Sequence, residues 1–252
     1  MIPEIEIGPL TLQTFGLCFA AAFLAAGAVV GVRLKELGKP VDWAYEMGFS
    51  ALAGGLIGAR LDWLIQNWDD ASDDIFGNIL SGSGLVWFGG LVGGALGVIL
   101  WARWRGYLSL GLLDLAAPAL ALGYAVGRIG CQLSGDGDYG KPWDGPWAMS
   151  YPDGTVPTTE EVHPTPVYET LAMGIVALVL WRLRNRLTGG LLFALYLLLA
   201  GLERFLVEFI RRNEDVALGL TQAQLISVVM AIAGAVWLAY GLRRPPAAPA
   251  TA

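Results

Sequence analysis

The chain has 252 residues, of which 55% are apolar and 15% are charged. Soluble proteins average about 25% charged residues, so this composition excludes an ordinary soluble domain and indicates an integral membrane protein. The formal net charge of −6 also argues against nucleic-acid binding.

The apolar residues of this chain are grouped into long runs. A helix needs roughly 20 such residues to cross the hydrocarbon core of a bilayer. Seven segments have that length, at about 11–32, 43–65, 84–102, 111–130, 166–182, 189–210 and 220–242. The first run follows Glu4 and Glu6 instead of a basic segment, and no small-residue cleavage site follows it, so we expect no removable signal peptide. We predict an all-α integral membrane protein with one polytopic domain over residues 1–244 and a disordered tail at 245–252.

Charged residues divide the connecting segments into two sets that alternate along the chain. Lysine and arginine accumulate in cytoplasmic loops. The basic set comprises Arg33, Lys35 and Lys39; Arg103 and Arg105; Arg182, Arg184 and Arg186; and Arg243 and Arg244. The acidic set comprises the N-terminus with Glu4 and Glu6, the 66–83 loop with Asp69, Asp70, Asp73 and Asp74, the 131–165 loop, and the turn at Glu214 and Asp215. This alternation predicts an N-terminus outside the cell and a C-terminus in the cytoplasm.

Glycine is concentrated in two of the predicted spans. The second span contains Gly54, Gly55 and Gly58, and the third contains Gly89, Gly90, Gly93, Gly94 and Gly97. Small residues allow helix backbones to approach each other closely in a membrane, so we expect these spans to pack tightly.

Three arginines lie within predicted spans, each near the outward end: Arg60, Arg128 and Arg204. Each costs about 2.5–3.5 kcal/mol if it lies deep in the bilayer, so such residues usually face a polar cavity. Arg204 has Glu208 four residues later, which is the spacing of an ion pair on a helix. Arg128 lacks such a neighbour and needs a partner from another helix or a ligand. An anionic phosphate would suit it, because guanidinium groups bind phosphate oxygens in pairs.

A purely structural role for these arginines remains open. They would then reach the lipid headgroups, or pair with Asp62, Glu169 and Glu208 and hold the helices together.

The outward 131–165 loop is rich in Gly, Pro, Asp and Trp, which predicts a compact, turn-rich or small β cap at the membrane interface. It begins with a glycine-rich stretch in which Asp136 and Asp138 supply hydrogen-bond acceptors. Calcium binding is an alternative for this stretch, but the glutamate at the twelfth position of an EF-hand is missing. For His163, where the loop re-enters the membrane, a functional role and a capping role are both open.

The chain resembles the bacterial prolipoprotein diacylglyceryl transferases over nearly its whole length. The resemblance rests on Ile7 to Pro9, Gly54 to Leu61, Gly89 to Leu91, the Gly127–Gly140 signature, the His163–Glu169 stretch and the run from Arg204 to Arg211. Members of this family have seven helices and move a diacylglyceryl group from phosphatidylglycerol to the lipobox cysteine of a preprolipoprotein, with release of glycerol phosphate. The resemblance therefore implies a multi-pass protein of the bacterial cytoplasmic membrane whose site faces the outer leaflet.

The resemblance implies catalytic roles for Arg128, Arg204 and Glu208. The substrate-binding residues that we expect around them are Arg60, Ser134, Asp136, Gly140, His163, Tyr168 and Glu169. The arginines would hold the lipid phosphodiester, and Asp136, Glu208 and His163 are candidates for the base that accepts the thiol proton. The expected partners are phosphatidylglycerol or another anionic phospholipid and the preprolipoprotein signal peptide. No cofactor and no metal are predicted, since Cys18 and Cys131 lack the spacing of metal ligands.

Several polar positions of the family pattern carry other residues in this chain. The family usually has tyrosine at Phe15, histidine at Phe88, asparagine at Cys131 and Ser134, glutamate near Asp136 and tyrosine at Ala200. A lipid-modifying enzyme with a different acceptor, or a lipid-binding or transport protein without catalysis, are the alternatives that these differences leave open. We expect Cys131 to be a small packing residue, with a reactive thiol as the alternative.

Overall fold

The computed structural model describes residues 1–68 and 86–243. Within these ranges the chain forms seven helices, three short hairpins and the loops that connect them. The helices are α1 (Thr14–Glu36), α2 (Trp43–Gln66), α3 (Trp87–Trp104), α4 (Leu110–Ser134), α5 (Thr165–Leu183), α6 (Leu191–Glu208) and α7 (Gln222–Arg243). The tail at 245–252 and the acidic residues Asp69, Asp70, Asp73 and Asp74 lie outside the described residues.

Four of the seven helices, α1, α4, α5 and α7, are long and apolar enough to cross a membrane by length and composition. Helix α3 is a shorter apolar helix. Helices α2 and α6 each carry three charged residues, which lowers their hydropathy. Two of the three arginines predicted within spans, Arg60 and Arg204, therefore lie on the more polar helices α2 and α6.

Three antiparallel hairpins each end next to the start of a helix. Strands β1 (Glu4–Ile7) and β2 (Leu10–Gln13) precede α1, strands β3 (Met149–Tyr151) and β4 (Thr158–Val162) precede α5, and strands β5 (Asp215–Ala217) and β6 (Leu220–Thr221) precede α7. In the first hairpin Ile5 pairs with Leu12 and Ile7 with Leu10, so its apolar side chains share one face.

The chain divides into two compact units, one formed by Met1–Val29 with Leu113–Ala252 and the other by Val30–Leu112. In the second unit, glycines bring α2 and α3 together. A Cβ atom added to Gly58 would lie 2.8 Å from the Cα atom of Gly93, and one added to Gly54 would lie 3.2 Å from the Cα atom of Gly97. Side chains do not fit at these positions, which confirms the close packing that the glycine pattern predicts.

In the first unit, α6 packs on α7 in a similar way. A Cβ atom added to Gly201 would lie 2.7 Å from the carbonyl oxygen of Ser227. The start of α6 is held by Asp114 of α4, whose carboxylate accepts hydrogen bonds from the backbone N–H groups of Gly190 at 2.8 Å and Phe193 at 3.1 Å. A carboxylate at this position also interacts favourably with the helix dipole. Helix α6 is thus fixed at the end opposite to Arg204.

The segment between α4 and α5 is shorter than the predicted 131–165 loop because α4 continues to Ser134. It contains β3 and β4, and isolated bridges join Gly140 to Arg211 and Pro142 to Val162. The bridge to Arg211 ties this segment to the chain just after α6. The glycine-rich stretch after α4 therefore lies beside the C-terminal end of α6.

Candidate functional site

Three arginines of the first unit meet at one carboxylate, Glu169 of α5. The Nε atom of Arg128 lies 3.1 Å from Glu169 Oε2, Arg204 Nη1 lies 3.0 Å from Oε1, and Arg211 Nη1 lies 3.5 Å from Oε2. The Glu169 side chain is fully buried. A buried charge is costly unless it is paired, so the three guanidinium groups and this carboxylate depend on one another.

A second carboxylate, Asp138, binds two of the same arginines from the segment after α4. It forms ion pairs with Arg128 and with Arg211. Burial by itself raises the pKa of Asp138, but the charges of Arg128 and Arg211 outweigh burial and leave that pKa below its usual range. Asp138 is therefore ionised at neutral pH. The hydroxyl of Thr165 donates a hydrogen bond to the backbone carbonyl of Asp138. This bond ties Asp138 to the start of α5.

A third carboxylate, Glu208, holds the other side of Arg204. Its Oε2 atom lies 2.8 Å from Arg204 Nη2, which confirms the ion pair predicted from their four-residue spacing. Its Oε1 atom accepts hydrogen bonds from Asn213 at 2.5 Å and from the Thr221 hydroxyl at 2.8 Å. Thr221 also caps α7 together with Gln224, with reciprocal hydrogen bonds of 3.1 and 3.2 Å. The site is thus anchored to the start of the last helix.

Tyr124 lies one helical turn before Arg128 on α4 and joins two of the charged groups. Its hydroxyl donates to Glu169 Oε1 at 2.9 Å and accepts from Arg128 Nη2 at 3.0 Å. The Arg128 guanidinium also lies over the Tyr124 ring, 4.9 Å from its centre. The orientation of Arg128 is therefore set by a ring, a hydroxyl and two carboxylates.

The three arginines differ in how accessible they are. The Arg204 side chain is 24% exposed, Arg128 15% and Arg211 8%. The two arginines expected to be catalytic are thus the more accessible pair, whereas Arg211 is buried against Asp138 and Glu169. An anionic phosphate could bind Arg204 and Arg128 through paired N–H donors, since each guanidinium group offers five of them.

The predicted residues Ser134, Asp136 and Gly140 shape the backbone around the ion pairs. The carbonyl of Ser134 accepts hydrogen bonds from the backbone N–H of Thr155 at 2.9 Å and from its hydroxyl at 3.2 Å. The carboxylate of Asp136 accepts from the backbone N–H of Asp138 at 3.2 Å. Gly140 donates to the carbonyl of His163 at 2.8 Å and accepts from Arg212 Nε at 2.9 Å.

His163 and Tyr168 belong to an aromatic group next to the start of α5. The imidazole stacks on Trp143 with 4.4 Å between ring centres, and its Nδ1 atom lies 3.3 Å from the Tyr168 hydroxyl. Trp147 Nε1 donates to the same hydroxyl at 2.7 Å. Burial lowers the pKa of His163, so its imidazole is neutral at pH 7. Among the described residues, no side-chain hydrogen bond, ion pair or ring contact joins this group to the three arginines.

Arg60 belongs to the second unit. Its side chain is buried, and its guanidinium lies 4.5 Å from the ring centre of Trp63. A role for Arg60 beside the other arginines stays a prediction.

One group of possible metal ligands is present among the described residues. A thiol and two carboxylates, from Cys131, Asp136 and Asp138, offer ligand atoms within 4.8 Å of one another. Asp138 is already bound by Arg128 and Arg211, and the Cys131 sulfur lies 3.7 Å from Arg128 Nη1. The two guanidinium charges oppose a cation here, so these residues do not make a convincing metal site.

The sequence pattern predicts no site role for Arg211 or Tyr124, and it indicates Asp138 only as a hydrogen-bond acceptor in the glycine-rich stretch. Asp138 stands two residues after the predicted Asp136, and Arg211 closes the run from Arg204 that carries the family resemblance. Tyr124 is four residues before Arg128, which places it on the same helix face. That spacing was the one available signal for Tyr124.

Comparisons with known proteins identify the family of this chain. The family model described as prolipoprotein diacylglyceryl transferase matches residues 4–240. Three relatives carry the name phosphatidylglycerol–prolipoprotein diacylglyceryl transferase. The protein of Clostridium tetani is 31% identical, with 91% of this chain and 93% of the relative covered. That of Dehalococcoides mccartyi is 33% identical, with 89% and 87% covered, and that of Chromohalobacter salexigens is 32% identical, with 96% and 92% covered. The chain is a transferase that belongs to the prolipoprotein diacylglyceryl transferase family.

Proposed function

We propose that this protein transfers the diacylglyceryl group of phosphatidylglycerol to the thiol of a lipobox cysteine in a preprolipoprotein and releases glycerol phosphate. Family membership and the names of the relatives support this reaction. The observation that carries the proposal is the set of arginines at Glu169, because a phosphodiester needs cationic donors as charge develops on the leaving phosphate.

In this reaction Arg204 and Arg128 bind the phosphate of the lipid. Their greater exposure, 24% and 15% against 8% for Arg211, supports this assignment. Arg211 and the three carboxylates then act as positioning residues. They hold the two phosphate-binding groups in place before the substrate arrives, so that little reorganisation is needed during the reaction.

Glu208 is a positioning residue in this scheme. Both of its oxygens are occupied, by Arg204 on one side and by Asn213 and Thr221 on the other. A group with this arrangement fixes the position of Arg204.

The protein then lies in the bacterial cytoplasmic membrane with seven spans, an outward N-terminus and a cytoplasmic C-terminus. Residues 135–164 form its cap on the outer side, and the arginine site opens toward the outer leaflet. The alternation of basic and acidic connections supports this orientation. The expected substrates are phosphatidylglycerol, or another anionic phospholipid, and a signal peptide with its lipobox cysteine. Ser134, Asp136, Gly140, His163 and Tyr168 would line the approach of these substrates.

The test uses the purified protein in vesicles that contain phosphatidylglycerol and a synthetic lipobox peptide. Mass spectrometry should show that the peptide gains a diacylglyceryl group and that glycerol phosphate appears in equal amount. Arg128→Ala and Arg204→Ala should each lower the rate by about 100-fold or more, by analogy with the loss of one electrostatic donor at an oxyanion site.

Arg103→Ala is the matched control, since Arg103 is an exposed arginine in the second unit and should leave the rate unchanged. Equal rates for the wild type and both site variants would contradict the assignment of Arg128 and Arg204. A wild type that modifies only peptides without a lipobox, or none, would contradict the proposed acceptor.

A further inference from the structure

A fourth carboxylate lies beside the arginines and has no role in the scheme above. Glu203 directly precedes Arg204 on α6 and is half-buried. It is within electrostatic range of the three arginines and of Glu169. The site therefore contains an acidic group that its ion pairs do not use.

Glu203 differs from the other three carboxylates in what surrounds its oxygens. Asp138, Glu169 and Glu208 are each bound by at least two arginines. Such donors occupy the lone pairs that would otherwise take a proton. Among the residues that the structure describes, none makes a hydrogen bond or an ion pair to the Glu203 side chain. Its oxygens are open to a donor from a substrate.

Glu203 shares a face of α6 with residues that pack inside the helix bundle. Tyr196 lies seven residues earlier, so the two side chains share one face of the helix. Tyr196 and Tyr124 both pack against the buried cluster that includes Ala200, and both are within electrostatic range of Glu203. The titratable and charged groups that interact electrostatically with Glu203 are Tyr124 and Arg128 of α4, Glu169 of α5, Tyr196 and Arg204 of α6, and Arg211 after α6.

We infer that Glu203 is the general base that accepts the proton of the acceptor thiol. This inference rests on the proposed function. Arg204 holds the phosphate of the lipid in that scheme, and the next residue along the helix places a carboxylate at the same level. A thiol that attacks the glyceryl carbon bonded to the phosphate oxygen must come near both groups.

The reaction step balances as follows in atoms and charge. The thiol proton moves to a Glu203 oxygen as the sulfur forms a bond to the glyceryl carbon. The bond between that carbon and the phosphate oxygen breaks, and its electron pair stays on the departing glycerol phosphate. The proton then leaves Glu203 for the phosphate monoester or for water on the outer side, which restores the carboxylate.

The experiment compares the wild type with Glu203→Gln, which keeps the shape of the side chain and removes its basic oxygen. Each protein is assayed in phosphatidylglycerol vesicles with two peptides, one with cysteine and one with selenocysteine at the acceptor position. General base catalysis typically contributes 10²–10⁴-fold, so the variant should be at least about 100-fold slower with the cysteine peptide. A selenol is largely ionised at neutral pH, so the deficit with the selenocysteine peptide should be less than about tenfold.

The pH profile gives a second readout. The rate of Glu203→Gln with the cysteine peptide should rise toward the thiol pKa, near 8.5, more steeply than the wild-type rate. Phosphatidylglycerol binding serves as the folding control and should be unchanged. Glu161→Gln removes an exposed carboxylate of β4 and should behave as the wild type.

The outcomes separate this inference from the proposed function. A wild type that transfers no lipid would overturn the proposed function itself. An active wild type with a Glu203→Gln variant of similar rate, or with equal deficits for both peptides, would overturn only the role of Glu203 as a base. If Glu203→Gln does not bind phosphatidylglycerol, Glu203→Ala, which also removes the carboxylate, replaces it, and the same preferential loss with the cysteine peptide is expected.

Discussion

Glu169→Gln tests whether the arginines depend on their shared carboxylate. The substitution keeps the size of the side chain but removes the charge that Arg128, Arg204 and Arg211 approach to 3.0–3.5 Å. The side chain is fully buried, so solvent does not replace the lost partner. Removal of one partner from a buried ion pair typically costs about 3–5 kcal/mol, because it leaves an uncompensated charge.

The measurement is the apparent melting temperature of the purified protein in detergent. For a chain of this size, a loss of 3–5 kcal/mol corresponds to a decrease on the order of 10 °C. Glu160→Gln is the matched control because it breaks an exposed ion pair, in which Glu160 is 61% and Arg212 36% exposed. Such pairs contribute about 0–1 kcal/mol, so the control should melt near the wild-type temperature.

Glycerol phosphate extends this test to ligand binding. Glu169→Gln leaves guanidinium groups without their partner, and these groups bind phosphate oxygens readily. Added glycerol phosphate should therefore raise the melting temperature of the variant more than that of the wild type. Equal melting of Glu169→Gln, Glu160→Gln and the wild type would refute the dependence of the arginines on Glu169.

Three further predictions concern packing, pH and the cysteine beside the site. Gly58→Ala should lower the melting temperature, because the added Cβ atom would meet the backbone of α3. Gly48→Ala on the same helix should leave the melting temperature unchanged, since nothing lies within 4 Å of the added atom. Equal melting temperatures for the two variants would contradict the close packing of α2 and α3. The depressed pKa of Asp138 adds stability that is complete above about pH 4, the ordinary aspartate value, and is lost as pH falls through the lower native pKa. Asp138→Asn should therefore show a smaller acid-induced decrease in melting temperature than the wild type, and an equal decrease would count against its ion pairs. Cys131→Ser should transfer lipid at the wild-type rate in the mass assay if Cys131 only packs, and loss of transfer would favour a reactive thiol.

The sequence predicts the helices and one ion pair because both depend on neighbours along the chain. Apolar runs locate the helices, and the four-residue spacing of Arg204 and Glu208 places them on one face, where the structure has them 2.8 Å apart. The glycines of α2 and α3 predict close packing for a similar reason, since a missing side chain is visible in the sequence. The need of Arg128 for a partner also follows from the cost of a charge in an apolar helix.

The identity of that partner depends on the tertiary structure. Glu169 is 41 residues from Arg128 and reaches it only because α4 and α5 lie side by side. Three other features likewise depend on how the cap and α6 meet. The arginines pair with Asp138 and not with Asp136, Arg211 is buried, and the oxygens of Glu203 are open. Helical periodicity describes one element at a time, whereas a charge network is set by distances between elements. The sequence by itself therefore determined which charges needed partners, and the tertiary structure decided which partners they have.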